Sequence, residues 1–222
     1  LILEGDFRLP RQLFANPHWA VQDGAAMLVA PLVNAQPGWC IWDVCAAPGG
    51  KTRHLADMTD NQAYILASDR SRERLQSLSE QIQRDDRRGV TVREIDALQK
   101  RLPLESEAFD AILVDAPCSG WGTFRRHPDL RWRLQSQDMK KFGRQALQIL
   151  ENVQPYLKNG GVLVYGTCTL SPEENERIVA SFLERHPEYR IETVKPFLPP
   201  GMHDAVTPEG FLSIFPPAWN MD

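Results

Sequence analysis

The sequence has few cysteines and no long apolar run. Its four cysteines are Cys40, Cys45, Cys118 and Cys168. They form no CxxC pair and lie near no histidine cluster, which argues against a disulfide framework and against a zinc site. No stretch approaches the roughly 18 uninterrupted apolar residues of a membrane span, and no basic, apolar and small-residue leader is found. We therefore expect free thiols, no bound metal, no membrane partner and a cytoplasmic location.

The chain also lacks an excess of basic charge. Its 222 residues include 25 basic and 29 acidic ones, for a formal charge of −4. Binding to nucleic acid through net charge alone is therefore not expected, and a local basic patch is the alternative. The apolar share (42%) and the charged share (24%) are those of a globular protein. The length suits one large domain. Because the first residue is Leu1 rather than Met, we expect part of a longer polypeptide.

Regular patterning begins after Pro37 and Gly38. Short apolar runs alternate there with amphipathic stretches, which predicts repeated βα units and an α/β fold with a mostly parallel, doubly wound sheet. We assign residues 1–36 to an N-terminal linker and helical segment, and residues 37–222 to the α/β domain. The predicted strands are Cys40–Val44, Tyr64–Ser68, Val90–Glu94, Ala111–Val114 and Val162–Gly166.

Apolar periodicity and capping signals predict the helices. Ser136 is the expected N-cap of a long helix. Ser171 and Glu174 have the spacing of a capping box, with Pro172 at the first helical position. The predicted helices are Val21–Val33, Arg70–Arg84, Gln137–Leu157 and a segment that follows Ser171 and stops at His186.

The loop after the first strand has little side-chain bulk, so a ligand can approach its backbone and the following helix N-terminus. An ordinary tight βα turn is one alternative. A P-loop is another, because Gly50-Lys51-Thr52 matches the end of that motif, but Cys45 stands where it needs glycine. The GxGxxG pattern is absent too, so a nucleoside ligand without a phosphate chain fits better. The candidate cofactor-binding residues of the loop are Cys45, Ala46, Ala47, Pro48, Gly49, Gly50 and Lys51.

Two acidic residues end the next strands. Asp69 follows Gly50 by 19 residues, a spacing that suits an acid binding the two hydroxyls of a ribose. Asp96 follows the third strand and can either cap a turn or contact a base edge. A helix cap is the alternative for Asp69 as well. With the glycine loop, the two acids outline an adenosine site.

The ends of the fourth and fifth strands carry an acid and two thiols. Asp115 and Cys118 follow one strand, and Cys168 follows the other. Neighbouring parallel strands would bring both thiols to one edge of the sheet. Cys118 taken alone is most simply a small buried apolar residue, and no third ligand supports a metal site. Two thiols beside an acid and a nucleoside site favour covalent chemistry on a base.

Three motifs of this chain resemble those of the RNA 5-methylcytosine methyltransferases of the Nol1/Nop2/Sun family, over about residues 22–222. A further segment, Arg125 to Trp132, is most similar to the ribosomal small-subunit methyltransferase B (Sun/Fmu) branch, in which an N-terminal RNA-binding domain precedes the catalytic one. The three motifs are Cys45-Ala46-Ala47-Pro48-Gly49-Gly50-Lys51-Thr52, Asp115-Ala116-Pro117-Cys118-Ser119-Gly120 and Thr167-Cys168.

The resemblance implies a Rossmann-like class I fold and S-adenosylmethionine as methyl donor, held by the glycine loop. Asp69 would bind the ribose, Asp96 would lie near the adenine, and Asp115 near the methionine end. Cys168 would attack C6 of the target cytosine, and the branch resemblance implies 16S ribosomal RNA as the substrate. Cys118 would assist release of the product, and Asp115 would stabilise charge at N3.

Two departures from the family pattern are visible. Thr169 follows the expected nucleophile where the family often has serine. Family members also continue beyond the position of Asp222 into a final Gly-Phe-Phe strand, so residues 37–222 are expected to be a catalytic domain that lacks its last strand and exposes a sheet edge.

The segment from Trp121 to Arg144 is the local basic patch. It holds seven arginines and lysines but only two acids, with aromatic side chains between them. Basic side chains can neutralise phosphates while an aromatic stacks on a splayed base; a solvated helix approach is the alternative. The candidate RNA contacts are Arg125, Arg126, His127, Arg131 and Trp132.

Three other functions remain open at this point. A tRNA cytosine-5 methyltransferase would use the same chemistry on another RNA. A DNA cytosine-5 methyltransferase would use Cys118 itself as the nucleophile. A non-catalytic RNA-binding factor could keep the fold, although mere binding needs no pair of thiols.

Overall fold

The computed structural model describes residues 21–219 and residue 221. Residues 1–20 of the predicted N-terminal segment, together with Asn220 and Asp222, lie outside the described residues. Within the described part, five strands form one sheet in the order β3-β2-β1-β4-β5, and every pair of neighbours is parallel. The strands are β1 (Cys40–Asp43), β2 (Tyr64–Asp69), β3 (Val90–Glu94), β4 (Phe109–Asp115) and β5 (Leu157–Gly166).

Helices cover both faces of this sheet. The α-helices are α1 (Gly24–Met27), α2 (Gly50–Met58), α3 (Arg72–Arg84), α4 (Leu130–Arg133), α5 (Ser136–Val153), α6 (Glu176–Arg185) and α7 (Pro216–Trp219). Short 3-10 helices span Ala30–Val33, Gln154–Tyr156, Lys195–Phe197 and Pro200–Ala205. None of the helices in the described residues has the length and apolar character needed to cross a bilayer.

The strand order fixes where a ligand site can form. The order reverses between β1 and β4, so the carboxyl ends of these two strands border the crevice in which doubly wound sheets bind ligands. Asp43 at the end of β1 is in register with Leu113, and Asp115 at the end of β4 is in register with Gly166 of β5. The predicted doubly wound, Rossmann-like fold is therefore confirmed.

Alternate residues of the central strands fill two apolar layers. Trp42 and Ile112 face the layer that contains Ile149 of α5, whereas Ile41 and Leu113 face the opposite layer, which contains Leu55 of α2. All four of these strand side chains are fully buried. Burial on both faces is why the strands read as continuous apolar runs rather than as alternating patterns.

Two helix predictions need correction. The single helix over Val21–Val33 is wrong: α1 ends at Met27, and a 3-10 turn follows from Ala30. Pro31 lacks the N–H that would continue an α-helix, and it sits in the first turn of that 3-10 element instead. The long helix predicted to reach Leu157 ends at Val153, because Pro155 follows and Leu157 already belongs to β5.

The predicted helix caps also differ from those observed. Gln135, not Ser136, precedes α5, and its backbone N–H donates to the Asp138 carboxylate at 3.0 Å. The capping box at Ser171 is wrong. Residues 172–175 form turns, α6 starts only at Glu176, and Glu174 has partners in a different loop.

Candidate active site

A cavity of about 1350 Å³ runs along β5 and reaches the carboxyl ends of the strands. Residues from the loops after β1, β2, β3, β4 and β5 all contribute to its lining, which explains why one edge of the sheet collects the predicted site residues. Those lining it include Lys51, Asp69, Asp96, Asp115, Cys118 and Cys168.

The glycine loop forms the start of α2. Gly49 precedes this helix with φ +106°, a conformation that favours glycine, and a Cβ added there would lie 2.2 Å from Cδ1 of Leu78. The loop is tied to β2 by the bond from Ala46 N–H to the Ser68 carbonyl at 2.8 Å, and Arg74 donates to the Ala47 carbonyl. The loop therefore presents a fixed, nearly bare backbone to the cavity.

Cys45 lies in this loop but is a poor nucleophile. Burial, and then the nearby carboxylates of Asp69 and Asp43, raise the pKa of its thiol well above the ordinary value. The Cys45 side chain consequently stays protonated and serves as part of the loop's packing.

Asp43 is a buried acid that the sequence analysis treated only as a strand residue. It accepts a hydrogen bond from the Thr52 hydroxyl at 2.7 Å, while its Oδ1 atom has no partner among the described residues. Burial raises the pKa of Asp43 to about 7, although the Thr52 hydrogen bond lowers it. An acid at the end of a central strand, directly before a glycine loop, was the available signal.

Asp69 and Asp96 line the same cavity as the glycine loop. Asp69 ends β2; its carboxylate accepts from Ser71 N–H at 2.9 Å and pairs with Arg74 at 3.3 Å. Asp96 accepts from the backbone N–H of Leu98 at 3.0 Å, the turn-capping alternative noted above. A carboxylate has about four acceptor positions, so these local bonds do not use all the acceptor positions of either side chain.

Asp115 is paired with Lys51 across the switch point. The Lys51 ammonium lies 2.6 Å from Oδ2 of Asp115, and both side chains are partly buried. Lys51 belongs to the first turn of α2, and Asp115 ends β4, so the pair joins the two strands that border the crevice. A positive charge and a carboxylate are thereby held beside the thiols.

The two thiols lie in contact. The Sγ atoms of Cys118 and Cys168 are 3.1 Å apart, and the backbone N–H of Cys168 donates to the Cys118 sulfur at 3.3 Å. Cys168 is exposed to the cavity and Cys118 is half-buried.

The environment of the pair makes the two thiols unequal. The hydrogen bond from Cys118 is the largest effect on Cys168 and lowers its pKa; Arg126 and Lys51 lower it further, against opposing contributions from burial and from Asp115. The same hydrogen bond, with burial, raises the pKa of Cys118. Cys168 is therefore the better thiolate, and Cys118 is the thiol that stays protonated beside it.

Glu174 is a site residue that the sequence analysis assigned to a helix cap. It is almost completely buried, and its carboxylate accepts from the backbone N–H of Ser119 at 2.7 Å and from the Ser119 hydroxyl at 2.6 Å. The Thr169 hydroxyl donates to the same carboxylate at 3.2 Å. The spacing Ser171 to Glu174 gave no signal that distinguishes this role from a cap.

The predicted RNA contacts are exposed, and two of them, Arg126 and His127, line a cavity together with Cys168. Trp132 is 88% exposed, so it is not a core aromatic, and the Arg131 guanidinium lies over the Phe124 ring, 5.7 Å from its centroid. A second cavity, of about 330 Å³, is bounded by Arg126, His127 and Cys168 among others. The structure thus places a basic, aromatic surface next to the exposed thiol. Within the described residues, no group of side chains suited to bind a metal is found.

Comparison with known proteins identifies the family. Residues 30–222 match the family described as 16S rRNA methyltransferase RsmB/F. The chain belongs to the RsmB/F family. The fold is accordingly the Rossmann-like fold of class I S-adenosylmethionine-dependent methyltransferases, as the sequence analysis predicted.

Two curated relatives in the RsmB/F family are similar over most of this chain. The probable ribosomal RNA small subunit methyltransferase B of Synechocystis sp. is 42% identical over 203 residues, which are 91% of this chain and 45% of that protein. The ribosomal RNA small subunit methyltransferase B of Yersinia pseudotuberculosis is 40% identical over 189 residues, 85% of this chain and 44% of that protein. The chain spans a little under half the length of these relatives.

A solved structure supports the same relationship. NSun6 from Pyrococcus horikoshii superposes with a TM-score of 0.73 at 32% identity, covering 82% of this chain and 46% of that one. It was solved with SFG, an analogue of S-adenosylmethionine.

The residues present in the RsmB/F chain fit S-adenosylmethionine, the cofactor of the family. The bare loop at Gly49 leaves backbone room for a close ligand, and the acids Asp69 and Asp96 stand beside it for hydroxyl and amine groups. Asp115 and Lys51 lie close enough to Cys168 to influence its thiol.

Proposed function

We propose that this chain methylates C5 of a cytosine in RNA, with 16S ribosomal RNA as the substrate and Cys168 as the nucleophile. One observation supports this most strongly. The Cys118–Cys168 thiol pair lines the same cavity as the glycine loop, and so does the Lys51–Asp115 ion pair. Family membership supports an rRNA substrate.

Methylation at C5 of cytosine requires that a nucleophile first add to C6. C5 of cytosine is a poor nucleophile because its π electrons are delocalised over the pyrimidine ring. When the Cys168 thiolate adds to C6, the C5–C6 double bond opens, and its electron pair becomes available at C5 and spreads towards N3. The Asp115 carboxylate can accept from the exocyclic amine, while the Lys51 ammonium offsets the negative charge that develops on the ring. S-adenosylmethionine, when bound, supplies the methyl group.

Release of the product needs a base, and Cys118 is the candidate. Its raised pKa results chiefly from the hydrogen bond to the Cys168 sulfur. Once Cys168 is a neutral thioether bonded to C6, it is no longer a thiolate that accepts this bond, so the pKa of Cys118 falls. Cys118 then loses its proton to solvent, and the resulting thiolate takes the proton from C5; the C5–H electron pair re-forms the C5–C6 double bond and Cys168 leaves as a thiolate.

The target base must be out of its stack for this chemistry. A thiol cannot reach C6 while the base is stacked within an RNA helix. The target nucleotide therefore has to be unstacked, as base-modifying enzymes generally require. The exposed surface of Arg126, His127, Arg131 and Trp132 supports RNA binding next to Cys168, because basic groups can hold phosphates while an indole stacks on a splayed base.

Variants of the two cysteines test the assignment. We expect Cys118→Ala, incubated with the RNA and S-adenosylmethionine, to accumulate a covalent protein–RNA adduct, because addition proceeds and release is blocked. We expect Cys168→Ala to form no adduct and no 5-methylcytosine. Denaturing gel electrophoresis of labelled RNA measures both.

The other outcomes identify the alternatives. Adducts with Cys168→Ala but not with Cys118→Ala would indicate the DNA-type mechanism, in which Cys118 attacks. A full-length wild-type protein that binds 16S rRNA but forms neither adduct nor methylated cytosine would be a binding factor. Methylation of tRNA in place of 16S rRNA would contradict the proposed substrate.

A further inference from the structure

A buried carboxylate links the two cysteine loops. Glu174 is 1% exposed, and within the described residues all its hydrogen-bond partners are neutral groups. A buried carboxylate costs free energy unless hydrogen bonds replace its hydration. Three hydrogen bonds from Ser119 and Thr169 replace that hydration here, and an apolar side chain in the same place would leave the Ser119 N–H without this acceptor, so the acid is matched to these two residues.

The partners of Glu174 are the residues that directly follow the two cysteines. Ser119 comes after Cys118 and donates both its backbone N–H and its hydroxyl. Thr169 comes after Cys168 and donates its hydroxyl. The two hydroxyl oxygens are also 3.1 Å from each other. A single carboxylate therefore fixes both loops one residue away from the sulfurs.

The turn that carries Glu174 is itself firmly held. The Asn175 side chain donates to the Thr169 carbonyl at 2.8 Å and accepts from the Thr167 hydroxyl at 2.7 Å. It therefore binds the residues on either side of Cys168 in the sequence. The turn packs closely on α5 at Gly143, where an added Cβ would lie 2.3 Å from the Glu173 carbonyl oxygen. Glu174 thus has a rigid base from which to position other groups.

We propose that Glu174 is a positioning residue that sets the distance and orientation of the Cys118 and Cys168 thiols. The part of this proposal that concerns catalysis rests on the proposed function. Glu174 does not touch the reacting atoms; it acts through Ser119 and Thr169. Because a misplacement of about 1 Å can cost on the order of a hundredfold in rate, the sulfur geometry needs such a clamp.

The matched variants are Glu174→Gln and Glu173→Gln, which make the same chemical change at neighbouring positions. In Glu174→Gln one acceptor oxygen becomes an amide donor that faces the donors of Ser119 and Thr169. Glu173 is a partly exposed surface residue paired with Arg177, so its change leaves both cysteine loops intact. Thermal unfolding sets a temperature at which both variants are fully folded.

The primary measurement is the rate at which diamide, which is reduced to a hydrazine derivative, oxidises Cys118 and Cys168 to a disulfide. Peptide mass spectrometry identifies the linked pair. We expect the rate in Glu174→Gln to be at least about 10-fold below that of wild type and of Glu173→Gln. We expect kcat for RNA methylation to fall by a similar factor or more, with KM for S-adenosylmethionine within about twofold, since Glu174 lies outside the glycine loop.

Two results separate this proposal from the proposed function. Equal disulfide rates in Glu174→Gln, Glu173→Gln and wild type would overturn the positioning role, whether or not RNA is methylated. Slow disulfide formation in Glu174→Gln, with a wild-type protein that does not methylate RNA, would contradict the proposed function but support the clamp.

A second pair of variants applies if Glu174→Gln does not fold. Thr169→Val removes one donor to the carboxylate, whereas Thr169→Ser keeps the hydroxyl. We expect slower disulfide formation in Thr169→Val and recovery in Thr169→Ser. Equal rates in these two variants would contradict the clamp.

Discussion

At the residue scale, the difference in protonation between the Cys118 and Cys168 thiols follows from their surroundings. Cys168 is exposed to the cavity and has Lys51 and Arg126 near it, whereas Cys118 is half-buried and hydrogen-bonded to its neighbour. A thiolate is stabilised by a hydrogen-bond donor and by positive charge. The two cysteines, although they are the same residue type and lie in adjacent loops, therefore acquire different protonation states.

The pH dependence of alkylation tests this difference. Because the pKa of Cys168 is lowered in the folded protein, the fraction of thiolate is high at a pH where an ordinary cysteine is still protonated. We expect the iodoacetamide rate at Cys168 to reach half its maximum at a pH below the ordinary cysteine value. In Cys118→Ala the donor is lost, so the midpoint should move to higher pH.

Peptide mass spectrometry after timed alkylation measures the rate at each cysteine separately. Cys45, whose pKa is raised by burial, provides the internal reference and should stay unmodified across the same range. Identical midpoints in wild type and Cys118→Ala would show that Cys118 does not stabilise the Cys168 thiolate.

At the element scale, the loops that follow β4 and β5 create the site, and the segment around α4 extends it into a basic surface. Arg125, Arg126 and Arg131 are exposed beside the site, and Arg131 lies over Phe124. Such a segment can hold RNA while the rigid sheet holds the thiols. In the proposed function this segment would bind RNA next to the reacting thiol, because Arg126 and His127 line a cavity together with Cys168.

Charge removal on this surface has a measurable signature. We expect Arg125→Ala combined with Arg126→Ala to weaken RNA binding and to reduce the slope of log affinity against log salt by roughly 1.4 to 1.8, as for two lost phosphate contacts. Filter binding over a range of salt concentrations measures both quantities.

The control is Arg84→Ala combined with Arg88→Ala, which removes two arginines just before β3, at the opposite end of the sheet from the site. We expect wild-type affinity and slope in this control. An unchanged slope in the Arg125 and Arg126 variant would remove the α4 segment from the RNA site.

At the scale of the whole molecule, the sequence was sufficient to predict the parallel sheet and the edge at which its functional residues meet. Buried strands leave clear apolar runs, and parallel strands bring their ends together. Strand and helix limits were less predictable, since β5 begins at Leu157 within what reads as a helical stripe. Glu174 was missed for a similar reason: its partners, Ser119 and Thr169, are set by tertiary contacts, and local spacing favoured a cap.

The whole-molecule account depends on one covalent bond, between the sulfur of Cys168 and C6 of the target base. RNA containing 5-fluorocytidine at the target position tests it most directly with wild-type protein. Once C5 carries both fluorine and the methyl group, no proton remains there to be removed, so release is blocked and the adduct persists. Protease and nuclease digestion followed by mass spectrometry then identifies the modified peptide. We predict the nucleotide on the peptide that contains Cys168; its presence on the Cys118 peptide, or methylation of unmodified RNA with no trapped adduct, would contradict the account.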